Sequence, residues 1–212
     1  MNKYFKYGLL LIAVALVAYK SVYFEKLSAR RNLAATTFDA AAFSRKIWAE
    51  QMPAKIDSAI PLTLLMDAVN ILNIDSDAAV NKYTHALAVG NYRYALVKVE
   101  APVAEVRDDE VVVNLAHNDF VFALDVATEF IYGNAVRDAS ALVAVKDFPN
   151  TSDLNGISEG LNKIIRTEVV PPFKSAVKKG DIISVVAAVE LNKDHIHWDQ
   201  LELIPVRLQI VK

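Results

Sequence analysis

The chain has 212 residues, 54% of them hydrophobic, and a formal net charge of −2. That length holds one or two domains with a packed core, and the near-neutral balance argues against binding to nucleic-acid phosphates, which calls for a basic excess. The absence of cysteine removes disulfides, thiol catalysis, cysteine-based zinc sites and any lipid attached through a lipobox cysteine.

Lys3 and Lys6 precede the uncharged run Tyr7–Tyr19, and Lys20 closes it. A basic start followed by a short apolar stretch is the layout of an export signal. The run is shorter than the roughly 20 residues of a comfortable membrane span. However, Ser21-Val22-Tyr23-Phe24 extends its apolar character, and Lys20 can reach the headgroups. No small-x-small cleavage site follows at the right distance. Residues 1–24 therefore read as an uncleaved signal-anchor held in the inner membrane by residues 7–24, with a cleaved signal peptide or a buried core helix as alternatives. The first two place the rest of the chain outside the cytoplasm, in the periplasm. Residues 25–36 read as a stalk.

A helical third follows. Thr37 or Asp39 can cap a helix in which Phe43/Ile47 and Trp48/Met52 share a face. Pro53 stops it, and Pro61 suits the first position of another. There Leu64, Leu65, Ala68, Ile71 and Leu72 form an inward stripe. Asp75-Ser76-Asp77 caps a third helix with Val80, Tyr83 and Leu87 inward, and Gly90 lies just past its end.

At Tyr92 the period changes. Tyr92–Glu100, Val103–Arg107, Glu110–Leu115 and Asp119–Val126 read as antiparallel strands, with turns at Asp108-Asp109 and His117-Asn118. Residues 128–132 and 141–146 continue the meander. Leu154, Ile157, Leu161, Ile164 and Ile165 mark a helix that Pro171-Pro172 breaks. Gly180-Asp181 opens a last sheet segment, Ile182–Leu191, followed by a turn at Asn192–Asp194 and a strand region to Lys212.

Gly90-Asn91 and Gly180-Asp181 begin similar strands, each preceded by a helix, with Val99-Glu100 falling on Val189-Glu190. This predicts an α+β fold: a helical N-terminal third, then two small antiparallel barrel-like units related by duplication. Residues 37–150 would hold the first unit and 151–212 the second, packed as one body. The nearest named shape is the five-stranded oligonucleotide/oligosaccharide-binding (OB) barrel.

The segment GNAVRD at 133–138, with DF at 147–148, LN-x-I at 154–157, GD at 180–181, SVYFEKL at 21–27 and FDAAAFSRKIW at 38–48, resembles a bacterial family of predicted periplasmic lipoproteins of unknown function. The resemblance implies genes beside those of sugar ABC transporters and a duplicated small-barrel structure, and it brings no activity or ligand. A cysteine-free chain departs from the lipoprotein pattern, so anchoring falls to the N-terminal apolar segment.

Candidate chemistry is sparse. His195 and His197 follow a turn, and strand alternation would put both imidazoles on one face, where they are weak metal candidates; an exposed hairpin face is the simpler account. His85 and His117 stand alone. Asp108-Asp109-Glu110 reads as an acidic turn, and Tyr92, Tyr94, Phe120, Phe122 and Phe130 as core and barrel wall. No nucleophile, phosphate-loop or metalloprotease motif is present, and no cofactor is implied.

The segment IYGNAVRDAS, 131–140, is the densest polar stretch in the apolar half. Gly133-Asn134 suits a turn with positive φ. Arg137-Asp138 suggests an ion pair or a guanidinium fork reaching backbone carbonyls. Either Arg137 ties the turn to a neighbouring helix, or Asn134, Arg137 and Asp138 line a pocket for an anionic or hydroxyl-rich ligand. The resulting expectation is a non-enzymatic, membrane-tethered module that binds a small polar ligand or a transporter component. A hydrolase or metal-dependent enzyme, and a purely structural envelope protein, are the alternatives.

Overall fold

A computed structural model describes residues 3–21, 38–71, 76–86, 90–148 and 150–211. The chain divides into two units, Met1–Asp39 and Ala40–Lys212. In the first, Lys3–Ser21 forms helix α1. Among the described residues no helix is long and apolar enough to cross a membrane. The end of the expected anchor at 22–24, the stalk at 25–36, and Thr37, Leu72, Asp75 and Leu87 lie outside the described residues.

The second unit begins with α2 (Ala40–Glu50) and α3 (Met52–Asp57). Helix α2 ends at Glu50, as expected for a helix that runs towards Pro53. Pro53 itself sits in the first turn of α3, where its missing N–H has no intrahelical partner to lose. The two-residue strand β1 (Ile60–Pro61) then leads into α4 (Leu62–Ile71). The inward residues of α4 are Leu62, Leu65 and Met66, while Leu64 is exposed, so the apolar face is rotated from the expected stripe. Helix α5 is Ser76–Tyr83.

Five strands close a barrel: β2 (Tyr92–Val106), β3 (Glu110–His117), β4 (Phe120–Ala127), β5 (Ile182–Asn192) and β6 (Glu202–Val211). The order is β1-β2-β3-β4-β6-β5, and β2 also pairs with β5, which completes the circle. The two expected strands 92–100 and 103–107 are one long β2. Its first part runs antiparallel to β5 from Tyr92↔Asn192 to Pro102↔Ile182, and its last part pairs with β3 after an irregularity between Val103 and Glu105. Such a bulge bends a strand sharply enough to serve two neighbours.

This pairing corrects the expectation of two barrel units. The strands that begin after Gly90 and Gly180 do not found separate barrels; they pair with each other in one. Register explains why. Val97, Val99, Ala101 and Val103 of β2 and Ile183, Val185, Ala187 and Val189 of β5 all point into a single buried core. Two half-size barrels would leave each of those rows half covered.

Residues 128–132 and 141–146 are not strands either. After β4 the chain turns at Gly133, whose φ is +78°, forms the short helix α6 (Ala135–Ser140), and leaves through Ala141 in the left-handed region at φ 51°. A one-turn 3-10 segment at Val145–Asp147 precedes α7 (Thr151–Ile164), whose first turn is capped by the Asn150 side chain accepting from the Ser152 N–H at 3.0 Å. Pro171-Pro172 does not break the helix. It widens into a π turn over Ile165–Val169 and resumes as α8 (Val170–Lys174), the wider turn absorbing the two missing N–H groups.

Helix α7 lies close against α2. A Cβ at Gly156 would stand 2.8 Å from the Ala40 Cβ, and one at Gly160 would stand 2.7 Å from the Ser44 Cβ. The Ser44 hydroxyl donates across this contact to the Ile157 carbonyl at 3.0 Å. Helix α6 packs on the outside of β2 and β5, so Leu96, Val186 and Ala188 are buried on the barrel's outer face as well.

Candidate functional site

The polar stretch after β4 is stitched to α7 by side chains. The Ser158 hydroxyl donates to Asn134 Oδ1 at 3.0 Å, Asn162 Nδ2 donates to the Gly133 carbonyl at 2.9 Å, and Arg166 donates to the Ile131 carbonyl. Arg166 also bonds Glu159 at 2.5 Å and lies over the Tyr132 ring at 4.9 Å. Gly133 carries the positive φ; Asn134, at φ −108°, does not.

All six residues of α6 are buried, which is unusual for a segment holding an adjacent Arg and Asp. Arg137 is 5% exposed and Asp138 3%. The guanidinium forks onto the carboxylate, Nε to Oδ1 at 2.6 Å and Nη2 to Oδ2 at 3.2 Å, while Nη1 donates to the Leu154 carbonyl at 3.2 Å. Burial pushes the Asp138 carboxyl up from its ordinary range, against the opposing hydrogen bond and charge of Arg137. Both Asp138 oxygens are engaged by the fork, and Arg137 lines none of the three cavities around α6.

Those cavities separate the three residues that the sequence grouped. Asn134 lines the largest, a cleft of about 400 Å3 shared with Phe130, Tyr132, Ala135, Glu190, Glu202 and Ile204. Asp138 lines a second, about 380 Å3, with His85, Val143 and Lys146. The C-terminal end of α6, Ala139 and Ser140, lines a third of about 190 Å3. Helix α6 is thus a common wall and Arg137–Asp138 its internal brace.

The largest cleft has a defined chemical character. Phe130 is 64% exposed, and Tyr132 is also open to solvent. Glu190 and Glu202 lie on adjacent antiparallel strands, two residues beyond the last pair Ala188↔Ile204. Glu202 also pairs in parallel with Asp125 of β4. Burial, then the negative charges of Asp125, Glu110 and Glu190, pushes the Glu202 carboxyl above its usual range. Burial and the Glu190 carboxylate, which accepts its hydrogen bond, push the neighbouring Tyr94 hydroxyl up to about 12. Like charges placed opposite one another on a sheet are destabilising, so this row lowers stability in favour of a surface rich in acceptors.

Sequence reasoning missed Glu190 and Glu202. The signal was present: Glu190 is the one charge in β5, and Glu202 opens β6, an apolar strand whose other charge is Arg207; a solvated outer face is the tolerable place for such groups. The aromatics expected as barrel wall divide. Tyr94 and Phe122 are partly buried, whereas Tyr92, Phe120 and Phe130 are exposed. His195 and His197 do not share a strand face, because β5 ends at Asn192 and both lie exposed in the turn before a 3-10 segment at Trp198–Gln200. Among the described residues no group of three His, Cys, Asp or Glu is placed to hold a metal ion. His85 follows α5 and pairs through its backbone with Tyr94, and His117, at the end of β3, bonds Asp67 at 2.8 Å.

Comparison with known proteins sets this geometry in a family. A solved structure described as an OB-fold protein from Thermotoga maritima is 26% identical, with a TM-score of 0.71, over 83% of this chain and 100% of that chain. Among curated proteins nothing matches. Residues 12–209 match the family described as "Predicted periplasmic lipoprotein (DUF2291)". The chain contains no cysteine, so a thioether-linked lipid has no attachment point within these residues. The protein belongs to this DUF2291 family and is extracytoplasmic.

Proposed function

We propose that the protein is a non-enzymatic extracytoplasmic binding module, and that its ligand is a small molecule rich in hydrogen-bond donors. The observation that carries this reading is the composition of the cleft of about 400 Å3, in which two carboxylates and two exposed aromatic rings share one concave lining. Ionised carboxylates only accept hydrogen bonds, so the complementary ligand presents hydroxyl or ammonium groups. An open aromatic ring beside them suits the apolar face of a sugar ring or a cation. Open clefts of this size with a few convergent polar groups are the usual form of small-ligand sites. Anionic ligands, sugar phosphates included, are disfavoured there.

A hydroxyl-rich ligand agrees with a role beside a sugar ABC transporter, which the family resemblance suggested, and with tethering through the N-terminal apolar segment. Both belong to the proposal. Thermal-shift and calorimetric titration against sugars, polyols and polyamines tests it. A hit that Glu190→Gln/Glu202→Gln and Phe130→Ala each weaken about tenfold or more supports the reading; a panel with no hit, or a hit indifferent to both changes, sinks it.

One observation favours a second reading, hydrolysis. A carboxyl pushed up beside an exposed carboxylate is the pairing that acid–base catalysis uses. Recovery of a bound glycoside unchanged after prolonged incubation would leave binding alone.

A further inference from the structure

The third cavity lies on the far side of the α6 wall from the cleft's Asn134 and has the opposite chemistry. Its lining includes Lys55 of α3, Lys82 and Tyr83 of α5, His85, and Ser140 at the end of α6. No carboxylate stands among its described lining residues. Neither lysine is in an ion pair among the described residues; Lys82 lies over the Tyr83 ring at 5.0 Å. Asp57, on the same helix as Lys55, pairs instead with Arg207 at 3.5 Å.

Both lysines sit in the last turn of a helix, where a cation can serve simply to meet terminal carbonyls. That role is filled by other groups. The Ser58 N–H donates to the Ala54 carbonyl and the Ala59 N–H to the Ile56 carbonyl in α3, and the Thr84 N–H donates to the Val80 carbonyl of α5 at 3.0 Å. Those carbonyls do not need the ammonium groups. His85 is fixed in place by two backbone hydrogen bonds with Tyr94, at 2.7 and 2.8 Å. Burial first, and then the positive charges of Lys55 and Arg93, hold its imidazole below the usual range.

We infer that this cavity is a binding site for a small oxyanion, phosphate or a phosphate monoester, held by Lys55 and Lys82 with Tyr83 and His85 as further hydrogen-bond partners. A volume of about 190 Å3 admits such a group and little more. Lysine ammoniums are suited to it as point charges. The site stands independently of the ligand proposed for the cleft, which repels anions.

Calorimetric titration of the full chain with inorganic phosphate, and separately with glycerol 3-phosphate, in chloride buffer tests the inference. Wild type is expected to bind at least one of them with a Kd on the order of 1 mM or tighter. Lys55→Gln/Lys82→Gln weakens that binding about tenfold or more. Lys163→Gln removes a positive charge from the exposed face of α7 and leaves the affinity unchanged. Tighter binding of the ester assigns a monoester, and equal or weaker binding assigns the free ion. Thermal unfolding of the double variant in phosphate-free buffer should match wild type, separating lost binding from lost fold. The inference is overturned if wild type binds neither probe, if the double variant binds as wild type does, or if Lys163→Gln costs as much affinity.

Discussion

Replacing Arg137 with alanine removes the cation that pairs with the buried Asp138 carboxylate, and the consequences follow from the geometry. The guanidinium, 5% exposed, supplies both hydrogen bonds of the fork at 2.6 and 3.2 Å. Its third bond, to the Leu154 carbonyl, goes to a group inside α7 that the helix's own hydrogen-bond ladder also serves, so the loss falls on Asp138. Breaking a buried pair from one side costs about 3–5 kcal/mol, a fall in Tm of about 6–20 °C for a chain of this size. The pH dependence has a definite sign. Burial already raises the Asp138 carboxyl, and without the guanidinium it rises further. A group raised in the folded state contributes stability that is complete below its unfolded pKa and is lost as pH rises through its folded one. The gap between variant and wild type is therefore widest at neutral pH and narrows towards pH ~4. Thermal unfolding followed by circular dichroism at both ends of that range measures it. Arg137→Met/Asp138→Leu, which removes both charges, should recover most of the loss. An Arg137→Ala variant within about 1 kcal/mol of wild type, or a gap indifferent to pH, would refute the brace and return Arg137 to the ligand.

Two further changes probe other parts of the argument. Gly160→Ala should destabilise by about 1–3 kcal/mol, even though alanine is intrinsically the better helix former by about 1 kcal/mol. The new Cβ would stand 2.7 Å from the Ser44 Cβ, and denaturant unfolding would show the sign. Glu202→Gln should raise Tm at neutral pH, since it relieves burial of a charge beside Asp125, Glu110 and Glu190. The advantage should fade as the wild-type carboxyl takes up its proton in acid, and a mutant less stable at neutral pH would contradict it.

Local signals set much of this molecule. The 3.6-residue spacing of Leu154, Ile157, Leu161 and Ile164 specified α7, because an apolar stripe at that period has only one way to be buried. The turn between β3 and β4 falls at Asn118, at φ 52°, and Gly133 takes the positive φ its lack of a side chain permits. Where sequence reasoning failed, a distant partner decided. Residues 128–132 and 141–146 carry strand-like composition, yet the row of hydrogen bonds from Ser158, Asn162 and Arg166 to residues 131–134 holds the chain in a turn after β4, and α6 follows it. Likewise Val97 and Val185 are equally at home in two barrels or one, and only their pairing across the long β2–β5 ladder chooses. The cleft is the extreme case: Phe130 and Asn134 meet Glu190 and Glu202 through the closure of the barrel, a contact between segments that no window along the chain contains. Periodicity and turn chemistry are properties of neighbours in sequence, so the sequence alone determined elements with a local pattern, such as α7 and the turn between β3 and β4. Register, burial of Arg137 with Asp138, and the division of Asn134 and Asp138 between two cavities are properties of neighbours in space, and tertiary structure decided them.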